Sequence, residues 1–176
     1  TMEALQAAVR CGADAVYLGG KELNARRSAQ NFDGEELARA VDYCHVRGAK
    51  VMLTLNTVMT DDELPALLRQ GEEAARAGVD WIIVQDLGIA ALLRQVCPGV
   101  RLCASTQMAI HTLDGARMAR ELGMERVVLA RELSREEIGR IAAHAGIETE
   151  VFVHGALCMC LSGQCYLSAM IGGRSG

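Results

Sequence analysis

Aromatic residues make up only 3% of the 176-residue chain, with one Trp, three Tyr and two Phe. Its core must therefore be filled by Ala, Val, Leu, Ile and Met, as when helices wrap a parallel sheet, and an all-β sandwich is disfavoured. There are two prolines, and no Pro/Gly/Ser-rich linker or low-complexity tract marks an internal domain boundary. No apolar run approaches the length of a membrane span and no signal peptide is recognisable, so a cytoplasmic location without membrane attachment is expected. Positive charge is not in excess: the net charge of −4 supplies no global reason to bind nucleic acid, and an RNA site would need a local basic patch. A disulfide framework is also lacking. The seven cysteines are odd in number, with Cys11, Cys44, Cys97 and Cys103 scattered and Cys158, Cys160 and Cys165 clustered. In a reducing compartment, clustered thiols more often serve metal binding or catalysis than bridges.

What is present is one recurring phrase: a charged amphipathic helix, a Gly stop, then a short β-rich apolar run. Gly12, Gly48, Gly78, Gly99, Gly123 and Gly146 precede runs beginning near Ala15, Val51, Trp81, Val100, Arg126 and Glu150, at spacings of 36, 30, 21, 24 and 23 residues. These spacings fit successive βα units. Helix starts agree: Asp33 with Glu36, and Ser134 with Glu137, read as capping boxes, and Asp61 ahead of Leu64 and Pro65 reads as an N-cap. Six strands and six helices in one domain spanning residues 1–176 leave two architectures, an open doubly wound sheet or an eight-unit barrel with units missing. The apolar face of Ala4, Leu5, Ala8 and Val9 starts so abruptly that a preceding strand is expected to be absent.

If each strand ends at a catalytic face, that face collects Gly19, Gly20, Asn56, Thr57, Gln85, Asp86, Ser105, Thr106, Gln107, Arg131, Glu132, His154 and Gly155. Equally, individual members such as Asn56, Thr57 and Ser105 can be turn formers and helix caps. Arg26 and Arg27, in the loop after the first strand, can clamp an anionic ligand or form a solvated charge pair. His154 four residues before Cys158 suggests a thiolate nucleophile with a general base, although spacing does not bring the side chains together. Cys158 and Cys165, with Gly163 between them to bend the loop, suit metal ligation, but a closed site wants four ligands. Cys160 reads as an adventitious neighbour, since a Cys-x-Cys pair often points apart. Cys11, Cys44, Cys97 and Cys103 read as core fillers.

The run Glu150-x-Phe152-x-x-Gly155-Ala156-Leu157-Cys158-x4-Gly163-x-Cys165-x-Leu167-Ser168 resembles the signature of the collagenase-like peptidase family U32. Supporting phrases are residues 12–20, Asn31-Phe32, Leu55-Asn56-Thr57, Ser105-Thr106-Gln107 and residues 128–134. The resemblance implies a partial (βα)8 TIM-type barrel of about six units, first and last strands missing, with residues 154–176 as its cysteine-containing signature segment. Open sheet edges at residues 15–18 and 151–153 would then invite self-association. Two activities are implied: peptidase chemistry with His154 and Cys158 as catalytic residues, or oxygen-independent hydroxylation of ribosomal RNA, tRNA or a quinone ring. The latter relatives share a 4Fe-4S cluster with prephenate as hydroxyl source. Cys158 and Cys165 match two of its four ligands, and Arg26, Arg27, Arg131 and Arg174 are candidates for the anionic co-substrate or an RNA phosphate. The other ligands are expected beyond Gly176, so the chain by itself is expected to be inactive. A third reading is a non-catalytic barrel with a structural metal clip.

Overall fold

The computed structural model describes residues 1–21, 23–24, 31–156, 158–167 and 170. Among the described residues six α-helices, α1 (Met2–Arg10), α2 (Gly34–His45), α3 (Leu64–Ala77), α4 (Leu87–Val96), α5 (Leu113–Glu121) and α6 (Arg135–His144), alternate with six strands. The strands are β1 (Ala15–Gly19), β2 (Lys50–Leu55), β3 (Trp81–Val84), β4 (Arg101–Ala104), β5 (Arg126–Val128) and β6 (Glu148–Glu150). They form one sheet in the order β1-β2-β3-β4-β5-β6, every neighbouring pair parallel. A doubly wound sheet reverses its strand order part-way. Here each unit adds on the same side, and the sheet curls into a half-barrel.

Alternation along the strands divides the interior into two packed faces. Val51, Leu53, Ile82, Val84, Leu102, Ala104 and Val127 pack outward with helix residues including Leu37, Val41, Leu67, Leu93 and Ile141. On the opposite, concave face Met52, Trp81, Ile83, Cys103 and Val128 form a second cluster. With both faces covered, β3 is buried at every residue and β2 at every residue but its first, which is why these runs read as continuously apolar. The floor of the concave face is charged but paired. The Arg101 and Arg126 guanidinium groups stack on Trp81 at 3.9 and 4.3 Å, and Arg126 Nη2 bridges to Glu148 Oε2 at 2.7 Å.

The helix boundaries follow local chemistry. Asp33/Glu36 and Ser134/Glu137 form both halves of their capping boxes. The expected cap at Asp61 is corrected to Thr60, whose N–H and hydroxyl donate to Glu63 Oε2 at 2.8 and 3.1 Å and start a short 3-10 turn ahead of α3. Gly78 closes α3 in the left-handed conformation at φ 79°. Gly99 does not have that role: α4 ends at Cys97, in a non-helical conformation ahead of Pro98, which disfavours helix at the residue before it.

Two further expectations are corrected. Cys11 is exposed at the C-cap of α1, whereas Cys44, Cys97 and Cys103 are buried as expected. The last strand lies earlier than its apolar residues suggest, because β5 offers only three residues and pairing ends at Val128 opposite Glu150. Val151, Phe152 and Val153 therefore leave the sheet and are exposed. Among the described strands, β1 and β6 are the two edges.

Candidate metal centre

After leaving β6 the chain returns to the carboxyl ends of β4 and β5, where Ser162 is its anchor. Ser162 is 2% exposed, and its N–H and hydroxyl both donate to Glu132 Oε1, at 2.9 and 3.2 Å. The Arg131 backbone N–H donates back to Ser162 Oγ at 3.1 Å. The Arg131 guanidinium reaches along the loop: Nη1 donates to the Cys158 carbonyl at 3.2 Å, Nη2 to the Cys160 carbonyl at 3.0 Å and Nε to Ser162 Oγ at 3.3 Å. Glu132 is braced from behind by His111, whose Nε2 lies 3.1 Å from Glu132 Oε2 and whose Nδ1 lies 2.7 Å from the Ala109 carbonyl. Gly163 has φ +77°, and a Cβ there would collide with the Gln107 carbonyl beyond β4. Only glycine lets the loop lie this close.

The anchored loop brings three sulfurs together. The Sγ atoms of Cys158, Cys160 and Cys165 all lie within 4.8 Å of one another, the first two exposed and the third half-buried. Their protons are not equivalent. The Cys160 backbone N–H, followed by the Cys165 side chain, holds the Cys158 thiol below its ordinary value, and the Arg131 charge adds to this. The Cys165 side chain pushes the Cys160 thiol up. Of these two, Cys158 is the more readily made a thiolate, the form that ligates metal or attacks an electrophile. Burial penalises the Glu132 charge, but donation from Ser162 and His111 outweighs it and keeps the carboxyl below its ordinary value.

The set suits a soft metal. Around one tetrahedral ion with metal–sulfur bonds near 2.3 Å, thiolates sit about 3.8 Å apart, so modest contraction of this cluster reaches that spacing. Iron-sulfur clusters also take Cys thiolates. Cys158 and Cys165 are therefore together as the sequence pattern suggests, and Cys160, set aside on spacing alone, is with them. His154 is exposed. Arg26, Arg27 and Arg174 lie outside the described residues.

Other strand-end residues divide between local and unassigned roles. Asp86 caps α4 by accepting from Gly88 and Ile89, and Ser105 accepts from the Gln107 N–H. Gln85 and Gln107 each bury a side-chain carbonyl oxygen with no hydrogen-bond partner among the described residues. Ser162 and His111 were not singled out in the sequence. Gly163 hinted at a tight approach near Ser162, but nothing local distinguishes His111.

The family model described as peptidase family U32 matches residues 1–176. The chain belongs to this family. It is 43% identical over 168 residues to the 23S rRNA 5-hydroxycytidine synthase of Escherichia coli, covering 96% of this chain and 25% of that protein. It is 39% identical over 167 residues to a tRNA hydroxylation protein of Bacillus subtilis, covering 95% of this chain and 40% of that protein. The U32 chain thus spans well under half the length of these curated relatives. A solved U32 peptidase shares its fold, with a TM-score of 0.66 at 20% identity over 80% of this chain and 60% of that one. In this U32 chain the thiol loop sits at the carboxyl ends of the strands, the face on which barrel enzymes place their chemistry.

Proposed function

We propose that this U32 chain is the cysteine-bearing part of an oxygen-independent hydroxylase of RNA, ribosomal or transfer, that holds a 4Fe-4S cluster and takes its hydroxyl group from prephenate. The observation that carries the reading is the convergence of Cys158, Cys160 and Cys165 on an anchored loop in a chain similar to two RNA-hydroxylating proteins. The donor set fits the cluster: soft sulfurs gathered at one place, one of them readily deprotonated, and a loop backbone held by a cation. Cys158 and Cys165, in family register, are the proposed ligands from this chain. When bound, such a cluster supplies one-electron redox chemistry.

The chain's own residues contribute deprotonation and orientation. Cys158 gives up its proton more readily than an ordinary thiol, Arg131 fixes the carbonyls of Cys158 and Cys160, and Glu132 with Ser162 fixes the turn between Cys160 and Cys165. Arg26, Arg27 and Arg174 are proposed to bind the anionic co-substrate or an RNA phosphate, because a guanidinium meets a carboxylate or phosphate through two parallel hydrogen bonds. A peptidase with Cys158 as nucleophile and His154 as base is the second reading. It is favoured by one feature, an exposed thiol held below its ordinary value.

The test uses the full-length protein purified without oxygen. Iron and acid-labile sulfide should be present and should fall in Cys158→Ala and in Cys165→Ala. RNA from cells lacking the gene should gain a hydroxylated nucleoside on incubation with the protein and prephenate. A metal-free protein that cleaves peptides, and loses that activity on Cys158→Ala but not Cys165→Ala, would overturn the hydroxylase reading in favour of the peptidase.

A further inference from the structure

We infer that Arg131 and Ser162, backed by Glu132 and His111, are positioning residues that set the spacing of the thiols, and that Arg131 is not a contact for the anionic co-substrate. The inference rests on the reading of the thiols as metal ligands, and it follows from where the donors of Arg131 point. A guanidinium carries five N–H donors in one rigid plane. Nη1, Nη2 and Nε each donate to the thiol loop, to the Cys158 carbonyl, the Cys160 carbonyl and Ser162 Oγ respectively. Nη2 also lies 3.9 Å from Glu132 Oε1, and the side chain is 19% exposed. Each of the three nitrogens thus already donates one N–H to a protein acceptor, which commits three of the five donors to this loop. Turning the guanidinium toward a co-substrate carboxylate would loosen the carbonyls that give the loop its shape.

The grip is also in the right place to act on the thiols. It holds the carbonyls at both ends of the Cys158-Met159-Cys160 segment. Ser162, two residues after Cys160, fixes its other side, immediately before Gly163 and three residues before Cys165. In an extended strand a Cys-x-Cys pair would share one face but stand about 6.6 Å apart along the chain. Here the segment is bent, and the bend is held by Arg131. Lys cannot take over this role, because one ammonium does not span three acceptors in a plane.

Full-length Arg131→Lys and Ser162→Ala should be compared with wild type and with Arg76→Ala, a control in which an exposed arginine on α3 is removed. Outer-shell substitutions around ligands typically weaken metal binding roughly 10- to 100-fold. Release of iron to a chelator should accelerate by about that factor in Arg131→Lys, and by less in Ser162→Ala, while prephenate affinity and the thermal midpoint stay at the wild-type values. In metal-free protein, alkylation mapped by mass spectrometry should be spread differently over Cys158, Cys160 and Cys165 in Arg131→Lys than in wild type, because the loop carbonyls are no longer held. The inference is overturned if Arg131→Lys keeps its iron and its alkylation pattern, or if it loses prephenate binding with the thiols unchanged. Should wild type hold no iron, the proposed function fails, and the alkylation pattern still decides whether Arg131 positions the thiols.

Discussion

Replacing Gly163 by Ala should open the thiol site while leaving the barrel folded. At φ +77° an L-residue in the left-handed region is worse off than glycine by about 1–2 kcal/mol. The added Cβ would also collide with the Gln107 carbonyl, which is backbone beyond the end of β4 and cannot rotate away. The loop must retreat instead, weakening the bonds from Ser162 to Glu132, and hydrogen bonds to a charged group contribute about 1.5–3 kcal/mol each. Taking the dihedral cost with partial loss of one such bond, docking of the loop should weaken by about 2–4 kcal/mol, a roughly 30- to 700-fold rise in the released population. Gly12→Ala isolates the first effect, since Gly12 has φ +92° with nothing within 4 Å of a new Cβ. Alkylation of half-buried Cys165 in metal-free full-length protein reads the released population directly. Gly163→Ala should speed it by a factor in that range, and Gly12→Ala should leave it unchanged. If both variants alkylate at the wild-type rate and load iron normally, the loop is not docked on β4 in the way the structure shows.

Asp80 should anchor the opposite, amino-terminal rim. Its side chain is 10% exposed and meets His45 Nε2 at 2.8 Å, Lys50 Nζ at 2.9 Å and the Val51 N–H at 2.9 Å, so Asp80→Asn should cost about 2 kcal/mol, the low end for removing one partner of a buried ionic group because His45 and Lys50 are partly solvated. Burial raises the Asp80 pKa, but donation from Val51, His45 and Lys50 outweighs it and the folded value lies below 3.8. The difference between wild type and Asp80→Asn in urea unfolding should therefore be complete at pH 7 and shrink as pH falls through 3.8 toward the folded value; an equal difference at pH 7 and pH 3 refutes the pairing. Thiol labelling against pH should place the Cys158 rise below the ordinary 9.0 and the Cys160 rise above it. Burial pushes the Cys103 thiol up, and with Cys44 and Cys97, both buried, it should resist labelling until the chain unfolds; rapid labelling of Cys103 in folded protein would count against the concave cluster.

The repeating units were legible because their signals are local. Capping boxes at Asp33 and Ser134 act over three residues, and continuous apolar runs at Lys50–Leu55 and Trp81–Val84 reflect burial on both sheet faces. The resemblance, rather than the periodicity, decided between a doubly wound sheet and a barrel, and the unreversed strand order agrees with it. The end of β6 was misread because apolar Val151, Phe152 and Val153 have strand propensity, whereas pairing is limited by the three residues of β5. Cys160 was set aside because Cys-x-Cys spacing alone does not bring two sulfurs to one point; a bend in the chain does. The anchors that bend it, Arg131 and Glu132, are about thirty residues away in sequence, and no local pattern registers them.

That separation explains how the site is built. A loop following an edge strand has few neighbours of its own, and residues 151–156 are exposed. Its order is supplied by β4 and β5 through Gln107, Arg131 and Glu132, which lie just past the ends of strands whose inward and outward faces are both packed. The rigid part of the half-barrel thus holds the loop by backbone carbonyls and by one buried serine, leaving the three sulfurs free of structural duty. Thiols with no part in the core can exchange protons for a metal without disturbing the fold. Changes at the anchors should accordingly alter ligation before they alter stability, whereas changes in the Met52, Trp81 and Ile83 cluster should do the reverse.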